Sequence, residues 1–141
     1  MNNNWKNYTI LIVEDDPFSA KLLKYFLLKT GINILWVRNG LSAVEMCRNH
    51  KEISLVIMDI ELPLMNGIEA SQEILNNRKD LPIIAQTGIL GFREKCSAVG
   101  CVDFISKPTS QGILIEKINK YLNAKIPCYP QLKTKMQSHF F

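Results

Sequence analysis

Ile10-Leu11-Ile12-Val13-Glu14-Asp15-Asp16 decides the fold: an apolar run of strand length leads straight into three carboxylates. A second stretch repeats the arrangement, Leu55-Val56-Ile57-Met58 followed by Asp59. An unbroken apolar run has no side for water, so each reads as a strand buried on both faces, as in parallel sheets covered by helices. Two further runs, Ile83-Ile84-Ala85-Gln86 and Val102-Asp103-Phe104-Ile105-Ser106, lead into Thr87 and Lys107, and Pro108 follows the lysine. Open α/β sheets form their crevice outside the carboxyl ends of the strands. Glu14, Asp15, Asp59, Thr87 and Lys107 are therefore expected to meet along one edge.

Carboxylates gathered in this way repel one another unless a cation or a proton joins them. The cluster predicts a hard divalent metal, Mg2+, which favours oxygen ligands. A metal-held aspartate suits phosphoryl chemistry. A phosphoryl group on Asp59 would spread its charge over three oxygens, one each for the metal, the Lys107 ammonium and the Thr87 hydroxyl.

Strand-like runs alternate with segments of helical period along the chain, the pattern of βα units building a parallel sheet. Five strands are expected near Thr9–Val13, Asn33–Val37, Leu55–Met58, Ile83–Gln86 and Val102–Ile105. The first helix starts at Pro17 with Asp16 as its cap, buries Leu22, Leu23, Phe26 and Leu27, and stops at Gly31. Others run near Leu41–His50, Ile68–Arg78 and Phe92–Val99. The fourth is the weakest because of Gly88, Gly91 and Gly100. A fifth begins after Thr109 or Ser110 and buries Ile113, Leu114, Ile118 and Leu122. Right-handed crossovers give a flavodoxin-like (βα)5 doubly wound parallel sheet with strand order 2-1-3-4-5.

From about Tyr8 to Leu122 the chain resembles the receiver domain of two-component response regulators. The segment Asp59-Ile60-Glu61-Leu62-Pro63-Leu64-Met65-Asn66-Gly67 is similar to that family's acceptor loop, with Leu62 where methionine is frequent. The resemblance implies that Glu14 and Asp15 hold Mg2+ together with Asp59 and the backbone carbonyl of Glu61. It implies Asp59 as phosphoacceptor, Thr87 as the switch hydroxyl, Lys107 as the phosphate-contacting lysine and Phe104 as the switch aromatic. It also implies a sensor histidine kinase or a histidine phosphotransfer domain as donor, with a second copy of the chain as a further candidate partner. A cis Lys107–Pro108 bond, which would aim the lysine into the crevice, becomes an expectation on the same ground. The run Ile83-Ile84-Ala85-Gln86-Thr87 resembles receivers of hybrid histidine kinases.

The chain of 141 residues holds one core rather than two. Residues 1–7 read as an N-terminal extension, 8–122 as the receiver domain, and 123–141 as a tail in which Pro127 and Pro130 break the pattern. No apolar run reaches the ~18 residues that span a bilayer, and the N-terminus lacks the apolar core of a signal peptide, so a cytoplasmic location without membrane contact is expected. Cys47, Cys96, Cys101 and Cys128 lack metal-ligand spacing and read as buried thiols. The net charge of +4 is interspersed along the chain apart from three tail lysines, Lys125, Lys133 and Lys135, which argues against direct DNA binding. Output is expected instead through the protein surface formed by the fourth helix, fifth strand and fifth helix.

The single features also have plainer readings. Asp16 simply caps a helix, Lys107 before a proline resembles any strand end, Phe104 suits a core, and His50 suits a polar helix end. Acid, acid, hydroxyl and ammonium at four strand ends are hard to obtain together by accident. The alternative chemistry is a metal-dependent phosphohydrolase with an aspartyl-phosphate intermediate. Such enzymes often carry Asp-x-Asp, whereas Asp59-Ile60-Glu61 lacks the second aspartate, and no insertion is available to enclose a substrate. No turnover of an external substrate is expected.

Overall fold

In the computed structural model, which describes residues 4–124, five parallel strands form one sheet in the order β2-β1-β3-β4-β5. The strands are β1 (Thr9–Val13), β2 (Asn33–Val37), β3 (Ile53–Asp59), β4 (Ile83–Thr87) and β5 (Asp103–Ser106). The helices are α1 (Pro17–Leu27), α2 (Gly40–Asn49), α3 (Gly67–Asn77), α4 (Arg93–Val99) and α5 (Gln111–Ala124), with 3-10 turns at Leu28–Thr30 and Leu90–Phe92.

The two-residue period of a strand divides the core between two layers. Leu11 and Val13 of β1, Val56 and Met58 of β3, and Ile83 and Ala85 of β4 pack with Val44 of α2 and Ile74 of α3. Ile10, Ile12, Leu55, Ile57 and Ile84 face the other way, against Leu23 and Leu27 of α1 and Leu114, Ile118 and Leu122 of α5. Trp5 joins this second layer, and its backbone N–H donates to Thr30 O at 2.8 Å. Helix α5 continues through Ala124, past the tail boundary expected at 123, and the remainder of the tail, with Cys128, lies outside the described residues.

Side-chain caps fix where helices begin, each contributing about 1 kcal/mol. Asp16 accepts from the Ser19 N–H at 3.2 Å, Asn39 from Ser42 at 2.8 Å, Asn66 from Glu69 at 3.0 Å and the Ser110 hydroxyl from Ile113 at 3.3 Å. Gly31 and Gly100 take positive φ, 77° and 109°, where a side chain would be strained, and there the chain leaves its helices.

Several sequence expectations need correcting. Burial on both faces holds for β1, β3 and β4, but β2 and β5 are edge strands with half-covered or exposed residues. An edge strand has one neighbour only, so its apolar residues stay partly open. The fifth strand begins at Asp103, not Val102, which is exposed although its N–H still donates to Ile83 O at 2.9 Å. Helix α1 turns Ala20, Leu23 and Leu27 inward and leaves Leu22 39% exposed and Phe26 half-buried, because Leu22 sits about 100° round from Leu23. Ile113 is exposed for the same reason, one position before buried Leu114.

Candidate functional site

Four of the five strand ends deliver side chains to the crevice, β1 two of them and β3, β4 and β5 one each, and neighbouring strands fix their positions. The Glu14 N–H continues the β1–β2 pairing by donating to Val37 O at 3.1 Å. The acidic turn is braced from β2: the Trp36 indole N–H donates to Glu14 O at 2.8 Å and the Arg38 guanidinium to Asp15 O at 2.9 Å. Lys24 and Arg38 also lie over the Trp36 ring, 4.4 and 5.7 Å from its centroid. Beyond β3, the Ile60 N–H donates to Gln86 O at 3.1 Å and the Gly67 N–H to Ile60 O at 2.9 Å, folding the loop after Asp59 back on the strand.

Two glycines allow that loop to close. A Cβ at Gly67 would lie 2.2 Å from Asp59 O, and one at Gly40 would lie 2.2 Å from Met65 O. Both contacts are with backbone, which cannot rotate away. The amino ends of α2 and α3 thus press directly on the loop that carries Asp59.

Five side chains foreseen from the sequence meet here. Lys107 Nζ lies 2.9 Å from Asp59 Oδ2 and 2.9 Å from Glu14 Oε1. Asp59 Oδ1 accepts from the Glu61 N–H at 3.2 Å, and Glu14 Oε2 from the Asp16 N–H at 3.2 Å. Carboxylate oxygens of Glu14, Asp15 and Asp59 lie within 4.8 Å of one another. Thr87 is fully buried; its hydroxyl donates to Glu61 Oε1 and accepts from the Ile89 N–H at 3.1 Å. The Lys107–Pro108 bond is cis.

The balance of charge decides what the cluster lacks. Among the described residues, Lys107 is the one cation ion-paired with the buried carboxylates Glu14 and Asp59, and the more accessible Asp15 joins them in the cluster. Burial pushes the Asp59 carboxyl up to about 7, and the Glu14 carboxylate adds to this against the opposing pull of Lys107. Burial disfavours the Lys107 charge, yet Glu14 and Asp59 together hold the ammonium above its ordinary value. Glu14 Oε1 has Lys107 within ion-pair distance but lacks a hydrogen bond of good geometry, so this buried oxygen retains an unused lone pair. An all-oxygen donor set with surplus negative charge and a buried carboxylate lone pair left unused fits a hard divalent cation.

Phe104 lies away from the carboxylates, half-buried on β5, beside a pocket of about 150 Å3 that Arg93, Ser97 and Val102 also line. His50 closes α2, with Nδ1 3.2 Å from Glu52 Oε2. Cys47 and Cys96 are free and buried as expected, Cys101 is free but only half-buried, and loss of solvation pushes Cys47 and Cys101 up to about 11. Among the described residues no helix is long and apolar enough to cross a membrane.

Sequence reasoning did not anticipate Trp36, Arg38 or Arg78 in their roles. Arg78 donates to the carbonyls of Cys47, His50, Lys51 and Ile53, joining the end of α2 to the start of β3. Nothing in the sequence separates these residues from ordinary surface side chains, because their partners are backbone carbonyls 22 or more positions away. The Glu61 side chain's reach to Thr87 was also missed.

Residues 10–119 match the family model described as response regulator receiver domain. The chain is 34% identical over 118 residues to the polar-differentiation response regulator DivK of Brucella anthropi, covering 81% of this chain and 95% of that protein. It is 35% identical over 122 residues to the autoinducer 1 sensor kinase/phosphatase LuxN of Vibrio harveyi, covering 85% of this chain but 14% of LuxN. Among solved structures, the receiver domain of a Pseudomonas aeruginosa sensor histidine kinase, with a magnesium ion coordinated in its active site cleft, superposes with a TM-score of 0.77 at 29% identity. That alignment covers 83% of this chain and 98% of the other. The receiver domain of yeast Ssk1, solved with the histidine phosphotransfer protein Ypd1, gives 0.78 at 28% identity over 86% of this chain and 94% of that one. A doubly wound sheet with acid, acid, hydroxyl and lysine at its strand ends is the receiver architecture. This chain belongs to the response regulator receiver family and is a receiver domain of two-component signalling.

Proposed function

We propose that Asp59 accepts a phosphoryl group from a phosphohistidine and that the domain then changes the surface it offers to a protein partner. The observation that carries this reading is Asp59 at the end of β3, buried, with one carboxylate oxygen on Lys107 and the other on the Glu61 N–H. In the transfer, an Asp59 oxygen attacks phosphorus, the P–N bond to the imidazole breaks and the phosphoryl oxygens turn towards Lys107 and Thr87. An ionised carboxylate needs no general base, so positioning and charge do most of the work. Glu14, Asp15, Asp59 and the Glu61 carbonyl would hold Mg2+, which when bound supplies the positive charge that keeps Asp59 ionised and offsets the incoming oxygens. The chain assists its own modification and turns over no external substrate. Acetyl phosphate with Mg2+ should add one phosphoryl mass, mapping to Asp59; absence of the adduct, or its appearance elsewhere, would sink the assignment.

Thr87 and Phe104 form the two-state element in this reading. They sit on adjacent strands, where Ala85 pairs with Phe104 and Thr87 with Ser106, and the pocket beside Phe104 offers the ring a second position. A ligand shifts such an equilibrium only through differential contacts. Thr87→Ala should therefore take up phosphate while the Phe104 NMR resonances move little; wild-type-sized shifts in this variant would contradict the role.

The donor is a sensor histidine kinase or histidine phosphotransfer domain, and it approaches along α1. The solvent side of α1 exposes Phe18 and Tyr25, and an apolar hollow of about 310 Å3 lined by Ser19, Leu22, Lys107 and Pro108 leads from that helix to the crevice. A charge at Phe18 should disturb a protein donor and spare a small one. Phe18→Asp is expected to slow transfer from a phosphorylated histidine domain by roughly tenfold, typical of losing one apolar contact at an interface, with acetyl phosphate labelling unchanged. Equal slowing with both donors would move the docking surface elsewhere. Output then runs through α4, β5 and α5 to a protein, with a second copy of the chain as one candidate and DNA not contacted directly. The setting is cytoplasmic, and the chain acts either alone or as the receiver of a hybrid kinase. Residues 8–122 constitute the receiver domain in this scheme.

A further inference from the structure

The Thr87 hydroxyl has one proton, and in this structure it is given to Glu61. Thr87 Oγ1 donates to Glu61 Oε1 and its lone pair takes the Ile89 N–H at 3.1 Å, so the hydroxyl is engaged as both donor and acceptor. Thr87 has no exposure to water, whereas Glu61 lies exposed at the mouth of the crevice. A phosphoryl oxygen on Asp59 needs that same proton. We propose that Glu61 is a latch on the switch: its carboxylate holds the Thr87 hydroxyl in the resting state, and phosphorylation proceeds to the switched state only by taking the hydroxyl from it.

This rests on Asp59 and Thr87 having the roles given above. Glu61 acts through Thr87 and is thus a positioning residue. Its charge makes the resting bond a charge-assisted one, stronger than a bond to a neutral acceptor. The backbone favours the arrangement, since the Glu61 N–H is tied to Asp59 Oδ1 and the side chain is directed across the crevice towards β4. The loop carrying the acceptor therefore also carries the competitor for the switch hydroxyl. Any phosphoryl group or mimic must work against this contact, which raises the concentration of mimic needed.

Beryllofluoride with Mg2+, followed through the Phe104 ring resonances, tests the latch. Removing the acceptor in Glu61→Ala should lower the half-saturating beryllofluoride concentration by about 3–10-fold, the range expected for losing one charge-assisted bond. Glu61→Gln, which keeps the shape and an acceptor oxygen without the charge, should fall between. The discriminating step repeats the comparison in Thr87→Val, which keeps the volume and lacks the hydroxyl; binding is there read from the 19F resonance of bound beryllofluoride, because the Phe104 ring responds little without the hydroxyl. There the Glu61→Ala effect should shrink to within about 1.5-fold, the tolerance for independent sites. An undiminished effect in Thr87→Val would mean that Glu61 acts on the anion directly, and the latch would be overturned. Saturable wild-type binding that the Glu61 variants leave unchanged would also overturn it while sparing the receiver reading. Failure of the wild type to bind beryllofluoride at all would overturn both.

Discussion

Asp59→Asn should lose phosphoryl uptake from acetyl phosphate by more than about 100-fold while making the metal-free domain more stable at neutral pH, two effects of opposite sign from one atom exchange. The first follows because an amide lacks the nucleophilic oxygen. The second follows from linkage. Burial and Glu14 raise the Asp59 carboxyl from 3.8 to about 7, so between these values the folded state binds more protons than the unfolded chain. Stability of the metal-free wild type therefore falls as pH rises through that window and levels off above it. The amide, neutral throughout, escapes the decline. A gain of about 1–2 kcal/mol above pH 7 is expected, held well below the full shift because the crevice is open to water. Urea titrations of both proteins at pH 4.5 and pH 8 without metal check this; a difference that does not grow with pH would contradict the charge imbalance assigned to the crevice.

Gly67→Ala should cost about 1–3 kcal/mol, the loss expected when a methyl is forced into filled space. The added Cβ would stand 2.2 Å from Asp59 O and 2.7 Å from Ile60 Cα, so the loop after Asp59 itself would have to move. A fall in Tm of about 10 °C should accompany it, together with slower acetyl phosphate labelling. Gly88→Ala is the control, since a Cβ there meets nothing within 4 Å. Equal melting of the two variants would show that the loop yields more readily than its backbone contacts imply.

Glycine illustrates where reading the sequence succeeds and where it stops. Gly31 and Gly100 were legible as helix ends because a local backbone turn suffices to require them. Gly67 and Gly40 were not, since their requirement comes from chain segments brought near only by the finished fold. The same division runs through the site. Glu14, Asp15, Asp59, Thr87 and Lys107 could be gathered from sequence because a strand end is local and parallel topology sets those ends side by side. Their detailed partnership could not be read, as the engagement of the Glu61 side chain with Thr87 shows. Surface and core were hardest to separate at α1 and α5. Leu22 and Leu23, or Ile113 and Leu114, have near-equal hydrophobicity, and only the helix's rotation against the sheet decides which one faces water.

The bracing of the acidic turn by Trp36 gives the domain an optical reporter of its own. Of the two tryptophans, Trp5 is embedded in the layer beneath α1 and α5, while Trp36 is bonded through its indole N–H to the Glu14 carbonyl and flanked by Lys24 and Arg38. Indole emission responds to nearby charge, and the proposed Mg2+ ligand Glu14 is the residue whose carbonyl the indole holds. With Trp5 replaced by Phe, Trp36 fluorescence of the unlabelled protein should change on titration with Mg2+ if the proposed site is right, a readout taken from the edge of the sheet.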